Sequence, residues 1–144
     1  MSLAELVLPM DNARVLMELA EGLPAVLADR IQIEQVMLNV FRNALEAMQQ
    51  TPVEDRVLTV RTARADPAFV RLTVEDTGCG LPADSAAKLF QPFYTTKPNG
   101  MGMGLVISRS IITAHGGRLE AVPAPEGGAM FTFTLPIDAK ESNR

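Results

Sequence analysis

Two asparagines, Asn39 and Asn43, lie four residues apart in the stretch QVMLNVFRNALEA at residues 35–47. On a helix this spacing places both side chains on one face, one turn from each other. The oxygen of a side-chain amide is a hard, neutral ligand, which suits Mg²⁺ that is already bound mostly by phosphates and water. Asparagine is also common on exposed helix faces, so a purely solvent-facing role for the pair stays open.

An aspartate and two glycines, in the sequence DTGCG at residues 76–80, follow a run that alternates like a strand. The Asp76 carboxylate would lie at the strand end, where Gly78 and Gly80 leave the adjacent surface without side chains. Such a carboxylate can accept hydrogen bonds from an exocyclic amine, and the glycines let a flat ring lie against the backbone. A glycine turn without any ligand is the alternative for the same residues.

Three glycines at alternate positions, Gly100, Gly102 and Gly104, precede a stretch with helical periodicity, and Lys97 lies just upstream. The first amides of a helix lack intrahelical partners and attract anions, and glycines let phosphate oxygens approach the backbone. The lysine adds a positive charge. The spacing matches neither the GxxxxGK[ST] phosphate loop nor the dinucleotide fingerprint, and a flexible connector is the alternative.

Hydrophobic periodicity predicts the helices that must position these residues. Apolar residues recur at three- and four-residue spacing from about residue 30 to residue 50, which predicts an amphipathic helix with both asparagines and Glu46 on its polar face. Asp29 is its predicted N-cap. A short helix is predicted at 83–90 and a third at 105–114, where the sequence HGG ends it.

Six runs of β type complete the pattern, at residues 14–20, 25–29, 56–64, 68–76, 118–122 and 130–136. The first two flank a Gly-Leu-Pro break and are predicted to form a hairpin. The order of elements predicts an α/β fold of the α+β two-layer sandwich type, with a mixed sheet of about five strands and three helices on one face. We expect one domain over residues 1–144, with its core at about 12–136.

Composition excludes several classes of protein. Hydrophobic residues make up 47% and charged residues 21%, which is too apolar for a disordered chain and too interrupted by charge for a membrane span. The net charge of −4 argues against nucleic acid as a partner. A single cysteine excludes an internal disulfide, and the N-terminal residues do not have the pattern of a secretory signal. We therefore expect a cytoplasmic domain with no direct membrane insertion, while a membrane anchor elsewhere in the parent protein stays open.

Taken together, the motifs occur in one order along nearly the whole chain. The segments QVMLNVFRNALEA, DTGCG, LFQPFYTTK and GMGMGL, followed by HGG and FTFTLP, resemble the ATP-binding catalytic domain of sensor histidine kinases, which has the Bergerat fold of the GHKL superfamily. The similarity runs in register from about Leu16 to Pro136. The TTK segment followed at once by the glycines is most similar to the nitrogen-regulation and oxygen-sensor branch of that family.

The resemblance implies a role for each motif. Asn43 would hold Mg²⁺, Asn39 would lie near the phosphates, and Asp76 would accept from the adenine amine. A lid would be formed by Phe90, Phe93, Thr95, Thr96 and Lys97, and its hinge by Gly100, Gly102, Gly104 and Leu105. The predicted ATP contacts are Asn39, Asn43, Ala47, Asp76, Gly78, Gly80, Phe93, Thr95, Thr96, Lys97, Gly100, Met101, Gly102, Gly104 and Leu105, with Asn39 and Lys97 as catalytic candidates and Asn43 as the metal ligand.

Position 39 distinguishes the reaction classes within this superfamily. Members that are ATPases or serine kinases carry a glutamate four residues before the magnesium asparagine, where it activates water or a hydroxyl. Asn39 stands at that place, and an amide cannot accept a proton at neutral pH. This favours transfer to a histidine, whose neutral ring nitrogen is already a nucleophile. The alternatives are a nucleotide-gated interaction module or serine kinase resembling an anti-sigma factor, and a degenerate binder without chemistry.

Two positions on the same helix depart from other branches of the family. Glu46 and Ala47 stand where several branches have a basic residue and an aromatic residue. We therefore do not expect a phosphate contact from this turn, and we expect less stacking on the adenine.

The chain has one histidine, His115, which precedes two glycines at a predicted helix end and is therefore predicted to satisfy terminal carbonyls. We expect the phosphoacceptor histidine on a separate helical dimerisation domain, absent from this chain like the sensor domain, and a response regulator downstream. Glu34, Arg42 and Phe93 are candidates for contacting the acceptor domain. The isolated domain is expected to be monomeric.

Overall fold

The computed structural model describes residues 13–78, 104–125 and 127–138. Within these ranges the chain forms five β-strands, two α-helices and one short 3₁₀-helix. In chain order they are β1 (Arg14–Leu19), α1 (Arg30–Ala47), the 3₁₀-helix (Val53–Asp55), β2 (Val57–Asp66), β3 (Phe69–Asp76), α2 (Gly104–Ala114), β4 (Leu119–Pro123) and β5 (Ala129–Pro136). The helix predicted at 83–90 lies outside the described residues.

The strands form one sheet in the order β1-β2-β3-β5-β4. β1 runs parallel to β2, and the other three neighbouring pairs are antiparallel. The predicted mixed sheet of about five strands is confirmed. β3 lies at its centre, so the end of β3, at Asp76, is flanked by β2 and β5.

The long helix α1 forms because its apolar residues repeat with helical spacing and its first turn is capped. The Asp29 side chain accepts a hydrogen bond from the Gln32 backbone N–H at 3.1 Å, which confirms the predicted N-cap. The buried side of the helix consists of Ile33, Val36, Met37, Val40, Phe41 and Ala44. This stripe packs against the sheet and leaves Asn39 and Asn43 half-buried on a different side.

The sheet has one covered face and one open face. Alternate residues of β3, from Val70 to Asp76, are buried toward the helices, whereas Arg71 points the other way and is exposed. On the open face Arg61 donates to Glu18 at 2.7 Å and to Glu75 at 2.9 Å, which links β1, β2 and β3. The architecture is therefore the predicted two-layer sandwich. Neither described helix combines the length and the apolar composition that crossing a bilayer requires.

The predicted hairpin of residues 14–20 and 25–29 is wrong. β1 pairs with β2, and within 25–29 Val26 forms an isolated antiparallel bridge with Ile137. Parallel neighbours cannot be joined by a tight turn, because the chain must cross over to restart at the same end of the sheet. Here α1 supplies that crossover, and the residues after Pro24 lead into its N-cap.

Candidate functional site

Asp76 is a carboxylate at the last inward-facing position of β3, and it is 2% exposed. Its Oδ1 accepts hydrogen bonds from the backbone N–H groups of Gly78 at 2.8 Å and Ala129 at 3.2 Å. Burial raises the pKa of Asp76, the two amides act in the opposite direction, and the nearby Glu75 charge raises it further. The structure therefore fixes a buried acceptor at the edge of the core.

The turn after Asp76 packs directly on the last turn of α1. A Cβ added to Gly78 would lie 2.5 Å from the Ala47 carbonyl oxygen and 2.9 Å from the Ala47 Cβ. Real side chains do not approach a backbone oxygen so closely, so this contact requires glycine at position 78. Ala47 and Gly78, both predicted ATP contacts, are thus neighbours.

Thr77 holds the same turn against the sheet. Its hydroxyl accepts from the Val57 backbone N–H at 3.0 Å and donates to the Asp55 carbonyl oxygen at 2.9 Å. Its own carbonyl accepts from the Thr51 hydroxyl at 3.2 Å. These bonds tie the turn to the connection between α1 and β2, so the position of Asp76 is set by several independent contacts.

Gly128 and Ala129, which sequence reasoning missed, complete the surroundings of Asp76 at the start of β5. Gly128 has φ +81°, and a Cβ there would overlap the Asp76 carbonyl oxygen and lie 3.0 Å from Oδ1. The Ala129 backbone N–H donates one of the two hydrogen bonds that Asp76 Oδ1 accepts. The signal in the sequence is the Gly-Gly pair at 127–128 immediately before the last strand.

Asn39 contacts the start of α2, which belongs to the part of the predicted site that would bind phosphate. Its Nδ2 donates to the Gly104 carbonyl oxygen at 3.2 Å and to the Ser108 hydroxyl oxygen at 3.0 Å. A Cβ on Gly104 would lie 3.7 Å from the Asn39 Oδ1, so the amide lies against this glycine in ordinary contact. Gly104 begins α2, and Leu105 beside it is buried in the core at 7% exposure.

One side of α1 therefore contacts both the turn after Asp76 and the start of α2. Asn39 contacts Gly104 and Ala47 contacts Gly78. Asn43 lies midway between Asn39 and Ala47 along the helix, on the same side of α1. Eight residues of helix separate the two contacts, which is about 12 Å along the axis. The remaining predicted contacts lie outside the described residues; they are Gly80, Phe90, Phe93, Thr95, Thr96, Lys97, Gly100, Met101 and Gly102.

His115 ends α2 and joins it to α1. The Asp29 backbone N–H donates to its Nε2 at 3.1 Å, so Nε2 is an acceptor and Nδ1 carries the proton toward the Ile111 carbonyl oxygen at 2.7 Å. The predicted capping contact is confirmed. Both ring nitrogens of His115 are therefore engaged in hydrogen bonds to the backbone.

The candidate partner contacts on α1 lie on its outer side. Glu34 accepts from Arg30 at 3.1 Å in an exposed pair one turn apart, and Arg42 is exposed. Surface pairs of this kind contribute little to stability, so the pair does not by itself explain the presence of these charges. Their role in contacting another domain stays a prediction.

A family model supports the resemblance independently of the geometry. The model described as histidine kinase-, DNA gyrase B-, and HSP90-like ATPase matches residues 28–139. This range includes every motif described above, from the N-cap of α1 to the end of β5.

Individual relatives agree with that match. The sensor protein FixL of Bradyrhizobium diazoefficiens is 51% identical over 125 residues, which cover 87% of this chain and 24% of FixL. The catalytic domain of histidine kinase ThkA superposes with a TM-score of 0.75 at 33% identity, covering 88% of this chain and 80% of that one. Full-length ShkA in complex with AMPPNP gives a TM-score of 0.74 at 30% identity, covering 87% of this chain and 26% of ShkA. The chain thus spans about a quarter of the length of FixL.

Proposed function

Since this chain belongs to the histidine kinase-, DNA gyrase B-, and HSP90-like ATPase family, as the ATP-binding domain of a sensor histidine kinase, we propose that it binds ATP with Mg²⁺ and presents the γ-phosphate to a histidine on a separate domain. The observation that carries the proposal is the shared side of α1, which contacts the Asp76 turn through Ala47 and the start of α2 through Asn39. A nucleotide along this side would reach both ends.

The adenine end of the proposed site is built around Asp76. Its Oδ1 already accepts two backbone amides, so we assign its other oxygen, Oδ2, to the exocyclic amine of adenine. Gly78 packs directly on Ala47 beside it, and we assign these two residues to the wall of the adenine pocket. We assign Gly80, two residues further along the chain, to the same wall.

We assign Mg²⁺ to Asn43, which lies midway between Asn39 and Ala47 on α1. Asn43 offers an amide oxygen, the kind of hard and neutral ligand that Mg²⁺ accepts when phosphates supply most of the coordination. Once bound, the ion would neutralise charge on the phosphates and orient them. The task of Asn43 is then to fix the ion relative to α1, and with it the phosphates.

The phosphate end is assigned to the glycines and the first turn of α2. The N-terminal amides of a helix attract anions, and Gly104 leaves the approach to them without a side chain. We assign the lid to Phe90, Phe93, Thr95, Thr96 and Lys97, and its hinge to Gly100, Gly102, Gly104 and Leu105. Full-length ShkA, part of which has the same fold, is in complex with AMPPNP, which supports a nucleotide as the ligand of this chain.

Histidine is the proposed acceptor because position 39 offers no proton acceptor. The nitrogen of Asn39 is committed to Gly104 and Ser108, and its oxygen cannot act as a base at neutral pH. A neutral imidazole needs no such base. Because His115 is engaged at both nitrogens, the acceptor would come from the dimerisation domain of the parent protein, and a response regulator would receive the phosphoryl group from it. We place this exchange in the cytoplasm.

The proposal is tested by incubating this chain with γ-labelled ATP, Mg²⁺ and the phosphoacceptor hairpin of its parent protein. We expect label on the hairpin that is lost in acid and retained in base, as for phosphohistidine. An Asn43→Ala chain is expected to give at least about tenfold less label, because the metal loses its protein ligand. Label that survives acid on serine, or a stable complex with a sigma factor formed without the hairpin, would support the anti-sigma-type alternative instead.

A further inference from the structure

Ser108 is a polar residue buried inside the interface between the two helices. It is 0% exposed and lies in the middle of α2. Among the described residues, the buried polar or charged side chains are Thr59, Thr62, Asp76 and Ser108. A buried hydroxyl is costly unless it is hydrogen-bonded, so its partner indicates why it is there.

That partner is Asn39, and the contact forms half of a two-point clasp. The Asn39 Nδ2 donates one hydrogen to the Ser108 Oγ at 3.0 Å and the other to the Gly104 carbonyl oxygen at 3.2 Å. The two acceptors are four residues apart, so they lie one turn from each other on the same side of α2, in its first half. With both amide hydrogens used, the Asn39 side chain has one orientation, which keeps its oxygen beside Gly104.

We propose that Ser108 is a positioning residue that acts through Asn39 to hold the phosphate-binding end of α2 at a fixed distance from the asparagine side of α1. This inference rests on the proposed function and adds a residue to it. Gly104 is both the last glycine of GMGMG and the first residue of α2. The clasp therefore holds the backbone at the point where the glycine run ends. A shift there displaces the backbone amides that would face the phosphates.

The other end of α2 is fixed independently. His115 accepts from the Asp29 backbone N–H at the start of α1, whereas Gly104 contacts Asn39 in the middle of α1, so the two helices run in opposite directions and α2 is joined to α1 at both of its own ends. Loss of the Ser108 contact would therefore leave the helix in place while freeing its first turn. For this reason we expect an effect on phosphate binding that exceeds the effect on folding.

The test compares Ser108→Ala with Ser110→Ala, which makes the same chemical change at an exposed position of the same helix. Affinities for Mg²⁺·ATP and for adenosine are measured by titration. Ser108→Ala is expected to weaken ATP binding about fivefold to tenfold and to leave adenosine binding unchanged, because adenosine has no phosphates. Ser110→Ala is expected to match the wild type for both. An equal loss for both ligands, or no loss for ATP, would overturn the proposal.

A double-mutant cycle tests whether Ser108 acts through Asn39. In an Asn39→Ala background, Ser108→Ala is expected to cause no further loss of ATP affinity, whereas additive losses would show that Ser108 acts by another route. The clasp is also measured without nucleotide, from hydrogen exchange of the Asn39 side-chain amide. Ser108→Ala must accelerate this exchange relative to Ser110→Ala, and unchanged exchange contradicts the clasp. Failure of the wild type to bind ATP, with the exchange result intact, would refute the proposed function and not the clasp.

Discussion

Asp76→Asn is expected to weaken ATP binding about 100-fold, which corresponds to roughly 2.8 kcal/mol. The asparagine oxygen can still accept from Gly78 and Ala129, so the turn keeps its shape. The change converts Oδ2 into an NH₂ donor, and that donor would face the donating amine of adenine. Calorimetric titration with ATP, and with ITP, which has a carbonyl oxygen in place of the amine, measures both the loss and its origin.

The ITP titration is the matched control for that prediction. The wild type is expected to prefer ATP, because position 6 of the purine is an NH₂ donor in ATP and a carbonyl acceptor in ITP, and only the donor can bond to the carboxylate. The variant is expected to lose or reverse this preference, since its NH₂ group can donate to the carbonyl of ITP. An Asp76→Asn chain that binds ATP within about threefold of the wild type would remove Asp76 from adenine recognition.

The same variant reports on folding through its pH dependence. Burial raises the pKa of Asp76 in the folded state above its ordinary value of 3.8, so the folded state binds this proton more tightly than the unfolded state. Its contribution to stability is then full below pH 3.8 and is lost as the pH rises through the folded pKa. Without nucleotide, the free energy of unfolding of the wild type should therefore fall relative to that of the variant as the pH rises through this window. Above the folded pKa the difference between the two should be constant.

Gly128→Ala is expected to lower the free energy of unfolding by about 3 kcal/mol or more, or to prevent folding. A positive φ of 81° costs an alanine roughly 1–2 kcal/mol, and its Cβ would also overlap the Asp76 carbonyl oxygen. That overlap must push β5 away from β3 at the point where Ala129 bonds to Asp76. Urea unfolding measures the stability, and ATP titration of any folded fraction measures the site.

Gly127→Ala provides the matched control for Gly128→Ala. Gly127 has φ +94°, but a Cβ added there would have no atom within 4 Å. It is expected to carry the conformational cost of roughly 1–2 kcal/mol without the overlap, and to leave ATP affinity unchanged. Equal stabilities of the two variants would show that contact with Asp76 is not what position 128 requires.

The two described α-helices and the strands of the sheet could be predicted because each has a regular pattern of its own. The stripe of α1 and the alternation of β3 indicate their type and their buried side directly. Pairing is different, since it depends on residues far apart in the chain. The run at 25–29 has β-type composition, yet its neighbours in space are residues at 136–138, and no local pattern distinguishes that from a hairpin with β1.

The residues of the candidate site likewise include some that could be predicted from a local pattern and some that could not. Asp76, Gly78 and the two asparagines could be predicted because residue type and spacing reveal an acceptor, a bare turn and a polar helix face. Ser108 could not, because a serine within a helix has the same appearance whether it is exposed or buried against another helix. Ala129 contributes only a backbone amide, for which the side chain carries no signal.

The central claim is that one nucleotide contacts both Asp76 and Asn43. NMR titration with Mg²⁺·AMPPNP tests it through the Asn43 side-chain amide and the Ala129 backbone amide, which bonds to Asp76. The Ala68 amide, which lies directly before β3 at the opposite end from Asp76, serves as the reference. We predict that the Asn43 and Ala129 signals shift along one binding curve with one affinity while Ala68 stays unchanged. Two separate affinities, or a shift of only one of the two signals, would contradict the account.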